Sequence, residues 1–404
     1  MITGRPSAVA RRAILAIVLA MCATFTALVL VYYRHPKPVR AANAAGDAAC
    51  LSCHRDKSAF DTTAHHLTSR EPTRSAIAGT FAPGRNVLWT SDPQLHFRMD
   101  STAAGFTEAA LVRHGSDSSI FRVERIAMVI GSGRKGQSYA YERPDSALYQ
   151  LPVSYWRGIG WINSPGYRDG TANFGRPIAP RCLECHASSM QSAPGQATNH
   201  YDLAHSILGI TCETCHGSGA AHAARERSPM RNVLSDLFPR TIVNPARLSR
   251  NRQLEACALC HGGIGTLESP AFSYLPGQPL ADHLMRPPSS PNDDIDVHGN
   301  QVALLQRSAC FRSSNMTCAT CHDVHKPQHD VAELSGRCLT CHTVQSCGLY
   351  PQQGQALVGR CVNCHMPTLP SSTIVAADSG RLVQARVRTH WIKVYPATAP
   401  AGGR

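Results

Sequence analysis

The sequence contains seven Cys-x-x-Cys pairs, and a histidine follows each pair directly. With 20 histidines in 404 residues, chance gives seven such histidines with a probability on the order of one in a billion. In c-type haem attachment the two cysteines form thioethers with the porphyrin, and the histidine binds iron. The sequence therefore predicts seven covalently bound haem c groups. Numbered one to seven along the chain, the motifs are Cys50, Cys53 and His54; Cys182, Cys185 and His186; Cys212, Cys215 and His216; Cys257, Cys260 and His261; Cys318, Cys321 and His322; Cys338, Cys341 and His342; and Cys361, Cys364 and His365.

Zinc binding and disulfide redox chemistry also use Cys-x-x-Cys pairs. Two such pairs make a tetrahedral four-cysteine zinc site, but zinc leaves the histidine after every pair unexplained. A thioredoxin-like protein uses one pair on a βαβ unit, not seven in sequence. Haem attachment accounts for both the cysteines and the histidines.

The N-terminal part contains an uncharged run, Ala13–Tyr33, that as a helix would span roughly 30 Å and cross a bilayer. Arginines and a lysine flank the run on both sides, so charge alone gives no orientation. Because haem is attached on the outer side of the bacterial inner membrane, we expect residues 1–40 to be a cytoplasmic stub and membrane anchor. A signal peptide cleaved near Ala42-Asn43-Ala44 is the alternative.

The spacing of the motifs divides the rest of the chain. Between His54 and Cys182 lies a long gap in which Phe121–Ile130 alternates in polarity and runs into Gly131 and Gly133. This pattern predicts antiparallel strands with a hairpin turn. We therefore expect a first haem segment at 41–75, a β-rich insertion at 76–180, a six-haem domain at 181–370 and a C-terminal extension at 371–404.

The six-haem domain has too few apolar residues per motif for an ordinary hydrophobic core. From Cys182 to His365 six motifs share 184 residues, so the porphyrins themselves must fill the interior. The predicted fold class is a multihaem cytochrome c fold, in which short α-helices and irregular loops wrap around haems. The β-rich insertion and one N-terminal transmembrane helix complete it.

Each haem iron has a sixth coordination position that a second histidine can fill. The porphyrin separates the two axial faces, so a histidine a few residues past a motif cannot reach the far side of its own haem. His222 follows motif three closely and His325 follows motif five. We expect such residues to bind a neighbouring haem, which would force the close packing that rapid electron transfer needs.

Two cysteines outside the motifs share the oxidising compartment. Cys310 and Cys347 bracket motifs five and six, and we expect a disulfide between them.

Several segments of the sequence resemble a known group of proteins. Ile210–Gly217 followed by His222, His298–Gln301 followed by Met316–His325, and the terminal Cys361–Pro367 are similar to multihaem cytochromes c related to those that accept electrons from hydroxylamine oxidoreductase. The resemblance covers roughly residues 47–395 in motif order. It implies that the distal metal ligands are His222, His298 and His325, together with His390 and His66.

The formal charge of +13 does not indicate nucleic-acid binding. Each oxidised haem with two axial histidines carries a net charge of about −1, so seven haems lower the total to about +6. Much of the basic excess is therefore counter-charge for the haems.

Together these patterns predict a heptahaem c-type cytochrome that passes single electrons along a haem chain on the outer, periplasmic side of the inner membrane. Its partners would be redox proteins or a quinone-linked donor, and the membrane through the N-terminal helix. One alternative is a multihaem oxidoreductase that converts small inorganic nitrogen or sulfur compounds at one haem with an open sixth position. Another is a filament subunit or other oligomer. No catalytic residue is assigned.

Overall fold

The computed structural model describes residues 17–24, 44–192, 198–232, 242–263, 265–286 and 300–395. Contacts divide the chain into two units, Met1–Val39 and Arg40–Arg404. In the first unit residues 17–24 are helical, and the rest of the predicted membrane helix lies outside the described residues. Within the described ranges, no helix is both long and apolar enough to cross a bilayer.

The helices of the second unit are short, and most of the motifs lie on them or at their ends. The longest of these helices, α5, begins after Ser249, whose hydroxyl accepts a hydrogen bond from the amide of Arg252 and caps the first turn. The α-helices are α1 Asp47–Leu51, α2 Pro180–Glu184, α3 Cys212–His216, α4 Ala220–Arg227, α5 Arg250–His261, α6 Gln301–Gln306, α7 Ala309–Arg312, α8 Val331–Gly336, α9 Tyr350–Gln353 and α10 Cys361–His365. The 3-10 helices are Arg55–Thr62, His66–Thr68, Pro245–Arg247, Leu280–Asp282, Cys318–Thr320, Cys338–Thr340, Val344–Ser346 and Gly354–Leu357.

The insertion between motifs one and two consists of two antiparallel sheets. A four-stranded sheet has the order β2-β3-β4-β5, with β2 Val87–Trp89, β3 Leu95–Thr102, β4 Gly105–His114 and β5 Asp117–Arg125. In a seven-stranded sheet the path is β1-β6-β7-β8-β11, and β9 pairs with both β7 and β10. Its strands are β1 Ser69–Arg70, β6 Met128–Ile130, β7 Gly136–Glu142, β8 Leu148–Gln150, β9 Val153–Trp156, β10 Gly160–Asn163 and β11 Arg176–Pro177.

The alternating run Phe121–Ile130 does not form one strand. β5 ends at Arg125 in the four-stranded sheet, and β6 begins at Met128 in the seven-stranded sheet. Between them the amide of Ile126 donates to the carbonyl of Phe106, and the amide of Ala127 donates to that of Ala140. The chain thus crosses from one sheet to the other within two residues, a step that an alternating pattern does not reveal.

Side chains from both sheets meet in one core that is rich in aromatic residues. Phe97 and Met99 of the four-stranded sheet are fully buried, as is Tyr139 of the seven-stranded sheet. Trp161 packs on Tyr139, and its indole nitrogen donates to the carbonyl of Thr80 at 2.9 Å. The insertion therefore has a hydrophobic core of its own.

In the described part of the chain, three two-stranded antiparallel sheets lie outside the insertion. They are β12 Ala187–Ser192 with β13 Tyr201–Leu208, β14 Thr266–Leu267 with β15 Leu284–Met285, and β16 Thr368–Asp378 with β17 Arg381–Arg388. The last hairpin follows motif seven and returns to the insertion. There the amide of Gly380 donates to Asp169 at 2.6 Å, and Asn163 donates to the carbonyl of Ala377.

Candidate metal centres

Within a motif, the cysteines and the histidine share one turn of backbone. The amide of His54 donates to the carbonyl of Cys50 at 2.9 Å, and that of His322 donates to Cys318 at 2.9 Å. Residues three and four apart in such a turn face the same side. Both thiols and the imidazole therefore point to one face, as attachment of a single haem requires.

Among the described residues, four motif histidines lie opposite a second histidine. The ring centroids are separated by 6.4 Å for His54 and His222, 6.1 Å for His216 and His325, 6.2 Å for His322 and His390, and 6.0 Å for His261 and His65.

These spacings fit one metal ion between two axial imidazoles. Two metal–imidazole bonds of about 2 Å and two ring radii of roughly 1.1 Å add up to about 6.2 Å between ring centres. An imidazole on each side of iron is one way in which proteins hold haem. The residues therefore fit the group that the motifs predict.

In each pair the second histidine comes from the segment of another motif. His222 follows motif three but faces His54 of motif one. His325 follows motif five but faces His216 of motif three. His390, which follows motif seven, faces His322 of motif five. The axial pairs thus tie motifs together.

His65, not its neighbour His66, lies opposite the ring of His261. The Nδ1 atom of His66 lies 3.5 Å from a carboxylate oxygen of Asp47, and its ring packs edge-on against Phe60. A ligand role for His66 stays a prediction, while His65 joins the candidates. Sequence reasoning missed His65 because two adjacent histidines differ only in which side of the turn they face.

His298, the remaining distal candidate, lies outside the described residues. Cys310 and Cys347 are both free thiols, so the disulfide expected between them is not formed. Cys310 instead lies close to Cys321 and Cys338 of motifs five and six.

Hydrogen bonds orient three of the motif histidines through their Nδ1 atoms. His216 donates to the carbonyl of Val243 at 2.9 Å, and His365 donates to the carbonyl of Lys393 at 3.0 Å. The Nδ1 atom of His186 lies 2.9 Å from the hydroxyl of Thr68. A bond at Nδ1 leaves Nε2 for the metal and fixes the orientation of the ring.

Burial keeps several of the paired imidazoles neutral. It lowers the pKa of His390 to about 4, and it also lowers the pKa values of His65 and His216. A neutral imidazole is the form that binds a metal ion. His390, His65 and His216 are therefore in the protonation state that iron ligation needs.

Thiol contacts show which motifs are neighbours. The side chains of Cys50 and Cys212 lie within hydrogen-bonding reach, and so link motifs one and three. Cys185 and Cys260 do the same for motifs two and four. The thiols of Cys257 and Cys318 join motif four to motif five. Motif four consequently borders both motif two and motif five.

A buried charge cluster bridges motifs two and four. Glu184, which lies between the cysteines of motif two, is fully buried and accepts hydrogen bonds from His283 at 2.8 Å and Arg181 at 3.0 Å. The same guanidinium donates to the carbonyl of Leu259, between the cysteines of motif four, at 2.7 Å. Burial alone would raise the pKa of Glu184, but the bond from His283 and the nearby charges hold it below its usual value.

A family model described as cytochrome c554 and c-prime matches residues 169–217, which include motifs two and three. This match and the repeated Cys-x-x-Cys-His motifs support a multihaem c-type cytochrome. The match is consistent with haem attachment at motifs two and three, and the other five motifs lie outside the matched range.

One solved structure is similar to this chain. It is the undecahaem cytochrome from the S-layer of Carboxydothermus ferrireducens. The two share 16% sequence identity with a TM-score of 0.41, over 89% of this chain. The matched region spans about half, 53%, of the length of the undecahaem cytochrome. The present chain has no match among the curated proteins.

Proposed function

We propose that the protein carries one haem c at each of its seven motifs and transfers single electrons along them. The spacing of the histidine pairs carries this proposal, because four pairs of rings lie 6.0 to 6.4 Å apart. Each pair is built from the segments of two different motifs. A chain that places both axial ligands of one iron in this way also holds neighbouring haems close together.

The thiols and the imidazoles have different roles in holding a haem. The two thiols of each motif would attach a haem covalently, and at the four paired centres the two imidazoles would bind its iron. Bound haem supplies an iron that alternates between ferric and ferrous states. With two imidazoles bound to iron at each of the four paired centres, no position would remain there for a substrate, as an electron carrier requires.

The thiol contacts support a branched route. Motif one borders motif three through Cys50 and Cys212, and the thiol of Cys215 places motif three beside motif four. Motif four borders both motif two and motif five. From motif five the contacts continue to motif six, and the proximity of Cys338 to Cys361 continues them to motif seven. Motif four would act as a junction, with motif two on a side branch.

We also propose that the haem domain lies on the outer face of the inner membrane and is held there by the N-terminal segment. The uncharged run Ala13–Tyr33 supports an anchor, and haem attachment outside the membrane supports the orientation. The electron donor would be a redox protein or a quinone-linked enzyme. If residues 1–40 form the anchor, removing them behind a cleavable export signal should release the haem protein from the membrane fraction.

Two measurements on the purified full-length protein test the function. The intact mass should exceed that of the polypeptide by seven haem groups, and a smaller number would contradict one haem at each motif. Electron paramagnetic resonance of the oxidised protein should show low-spin ferric iron at the paired centres. A high-spin signal that shifts with added nitrite or hydroxylamine would instead favour an oxidoreductase.

A further inference from the structure

The segment that leads into the β-rich insertion contacts motif two through two residues, Thr68 and Ser69. Thr68 places its hydroxyl 2.9 Å from the Nδ1 atom of His186, and the hydroxyl of Ser69 donates to the backbone carbonyl of His186. We infer that the insertion tunes the reduction potential of the haem at motif two, with Thr68 as the positioning residue. This inference rests on the proposed function, since it requires haem at motif two.

The insertion fixes the position of Thr68. Its carbonyl accepts a hydrogen bond from the amide of Gly131 at 2.6 Å, and Ser69 pairs with Ile130 at the start of the sheet. Ser69 is 1% exposed, and its hydroxyl also accepts from the amide of Gly209 at 2.9 Å. The contact to His186 is therefore part of the ordered sheet rather than of a loose loop.

The turn after β6 needs a glycine at position 131. Gly131 has a φ of 105°, and a Cβ added there would lie 2.8 Å from the carbonyl oxygen of Gly136. Any larger residue would displace the turn whose amide holds Thr68. The glycines of this hairpin thus connect the geometry of the insertion to the axial ligand of motif two.

The chemistry of the acceptor distinguishes motif two from two other motifs. His216 and His365 donate to peptide carbonyls, whereas the partner of His186 is a hydroxyl. When Nε2 of an imidazole binds a metal, Nδ1 carries a proton, and a strong acceptor for that proton makes the ring a more basic ligand. A hydroxyl is a weaker acceptor than a peptide carbonyl. The imidazole of His186 therefore stabilises ferric iron less than its counterparts do.

The test is the variant Thr68→Val in the full-length protein, studied by potentiometric titration with detection by electron paramagnetic resonance. Valine keeps the shape of threonine but cannot accept the proton. The reduction potential of one haem should become more positive. At a fixed applied potential, the ratio of ferric to ferrous iron at that haem should fall about threefold; for a one-electron couple a tenfold change corresponds to 59 mV. Thr68→Ser should restore the original value, because serine keeps the hydroxyl.

Thr90→Val is the matched control. Thr90 is a buried threonine of the insertion, and its hydroxyl donates to the backbone carbonyls of Leu95 and Asp92. This variant should leave all potentials unchanged. Gly131→Ala should shift the same transition as Thr68→Val, because it displaces the turn that holds Thr68.

Unchanged potentials in Thr68→Val, or an equal shift in Thr90→Val, would overturn the inference. The intact mass separates this outcome from failure of the proposed function. A protein with a haem at motif two but no shift refutes only the role of Thr68. A protein without that haem refutes the proposed function itself; in that case Cys182→Ala/Cys185→Ala would lower the intact mass only by the two sulfur atoms and not by a haem.

Discussion

The imidazole rings of His216 and His325 lie 6.1 Å apart and are nearly parallel, although they belong to the segments of motifs three and five. His325 follows His322 by three residues, too few to reach the other face of a haem bound at motif five. In this pair, the short segment after motif five supplies a histidine that faces the histidine of motif three.

Replacing His325 by alanine should open one axial position at motif three. We expect one equivalent of high-spin ferric iron in the electron paramagnetic resonance spectrum, and carbon monoxide binding by the reduced protein. His329→Ala is the control, because His329 is exposed and lies in the same loop without facing a motif histidine. A low-spin spectrum in His325→Ala would contradict the assignment.

Adjacent His65 and His66 give a second test of the axial pairs. His65 faces His261 of motif four, whereas His66 lies beside Asp47. His65→Ala should therefore produce a high-spin centre that binds carbon monoxide, and His66→Ala should leave the spin state unchanged. The opposite result, with high-spin iron only in His66→Ala, would return the ligand role to His66.

The sequence predicts the metal-binding turns better than it predicts their partners. Each turn needs only local spacing, so Cys50, Cys53 and His54 can be recognised from five residues. Which ring lies opposite depends on the path of the whole chain. His65 and His66 are alike in composition, and only the 3-10 turn His66–Thr68 gives them different directions.

The insertion shows the same limit. Its alternating residues predict strands, and the chain does form two antiparallel sheets there. The pattern could not show that Phe121–Ile130 divides between those sheets, because both halves alternate. Nor could it identify Glu108 of β4 as a core residue, since burial of a carboxylate is decided by the second sheet.

Glu108 should make the stability of the insertion depend on pH. The side chain is fully buried, one oxygen accepts from the amide of Val153 at 3.0 Å, and the other has no hydrogen-bond partner. Burial raises the pKa of Glu108 well above its usual value. The folded state therefore binds this proton more tightly, and the stability that it contributes is complete below the unfolded pKa of about 4.3. That contribution is lost as the pH rises through the folded pKa.

Glu108→Gln should remove this dependence, because glutamine resembles the protonated acid. Thermal melts should give similar stability for wild type and variant near pH 4, and a more stable variant at pH 7. Each pKa unit of the shift is worth about 1.4 kcal/mol. Glu71→Gln, at an exposed position, serves as the control. Equal melting temperatures of Glu108→Gln and wild type at pH 7 would show that Glu108 is solvated.

Removing Glu184 alone from its cluster with Arg181 and His283 should destabilise the protein more than replacing all three residues together. Glu184→Leu would leave Arg181 and His283 buried without their carboxylate, and such a loss typically costs about 3–5 kcal/mol. Replacing all three residues by apolar ones of similar size removes every buried charge and should recover much of that stability. Thermal denaturation of the haem-loaded proteins, monitored by circular dichroism, measures both. A triple variant as unstable as Glu184→Leu would mean that the hydrogen bonds of Arg181 to Leu259 and of Glu184 to the amide of Phe272, rather than charge pairing, hold motifs two and four together.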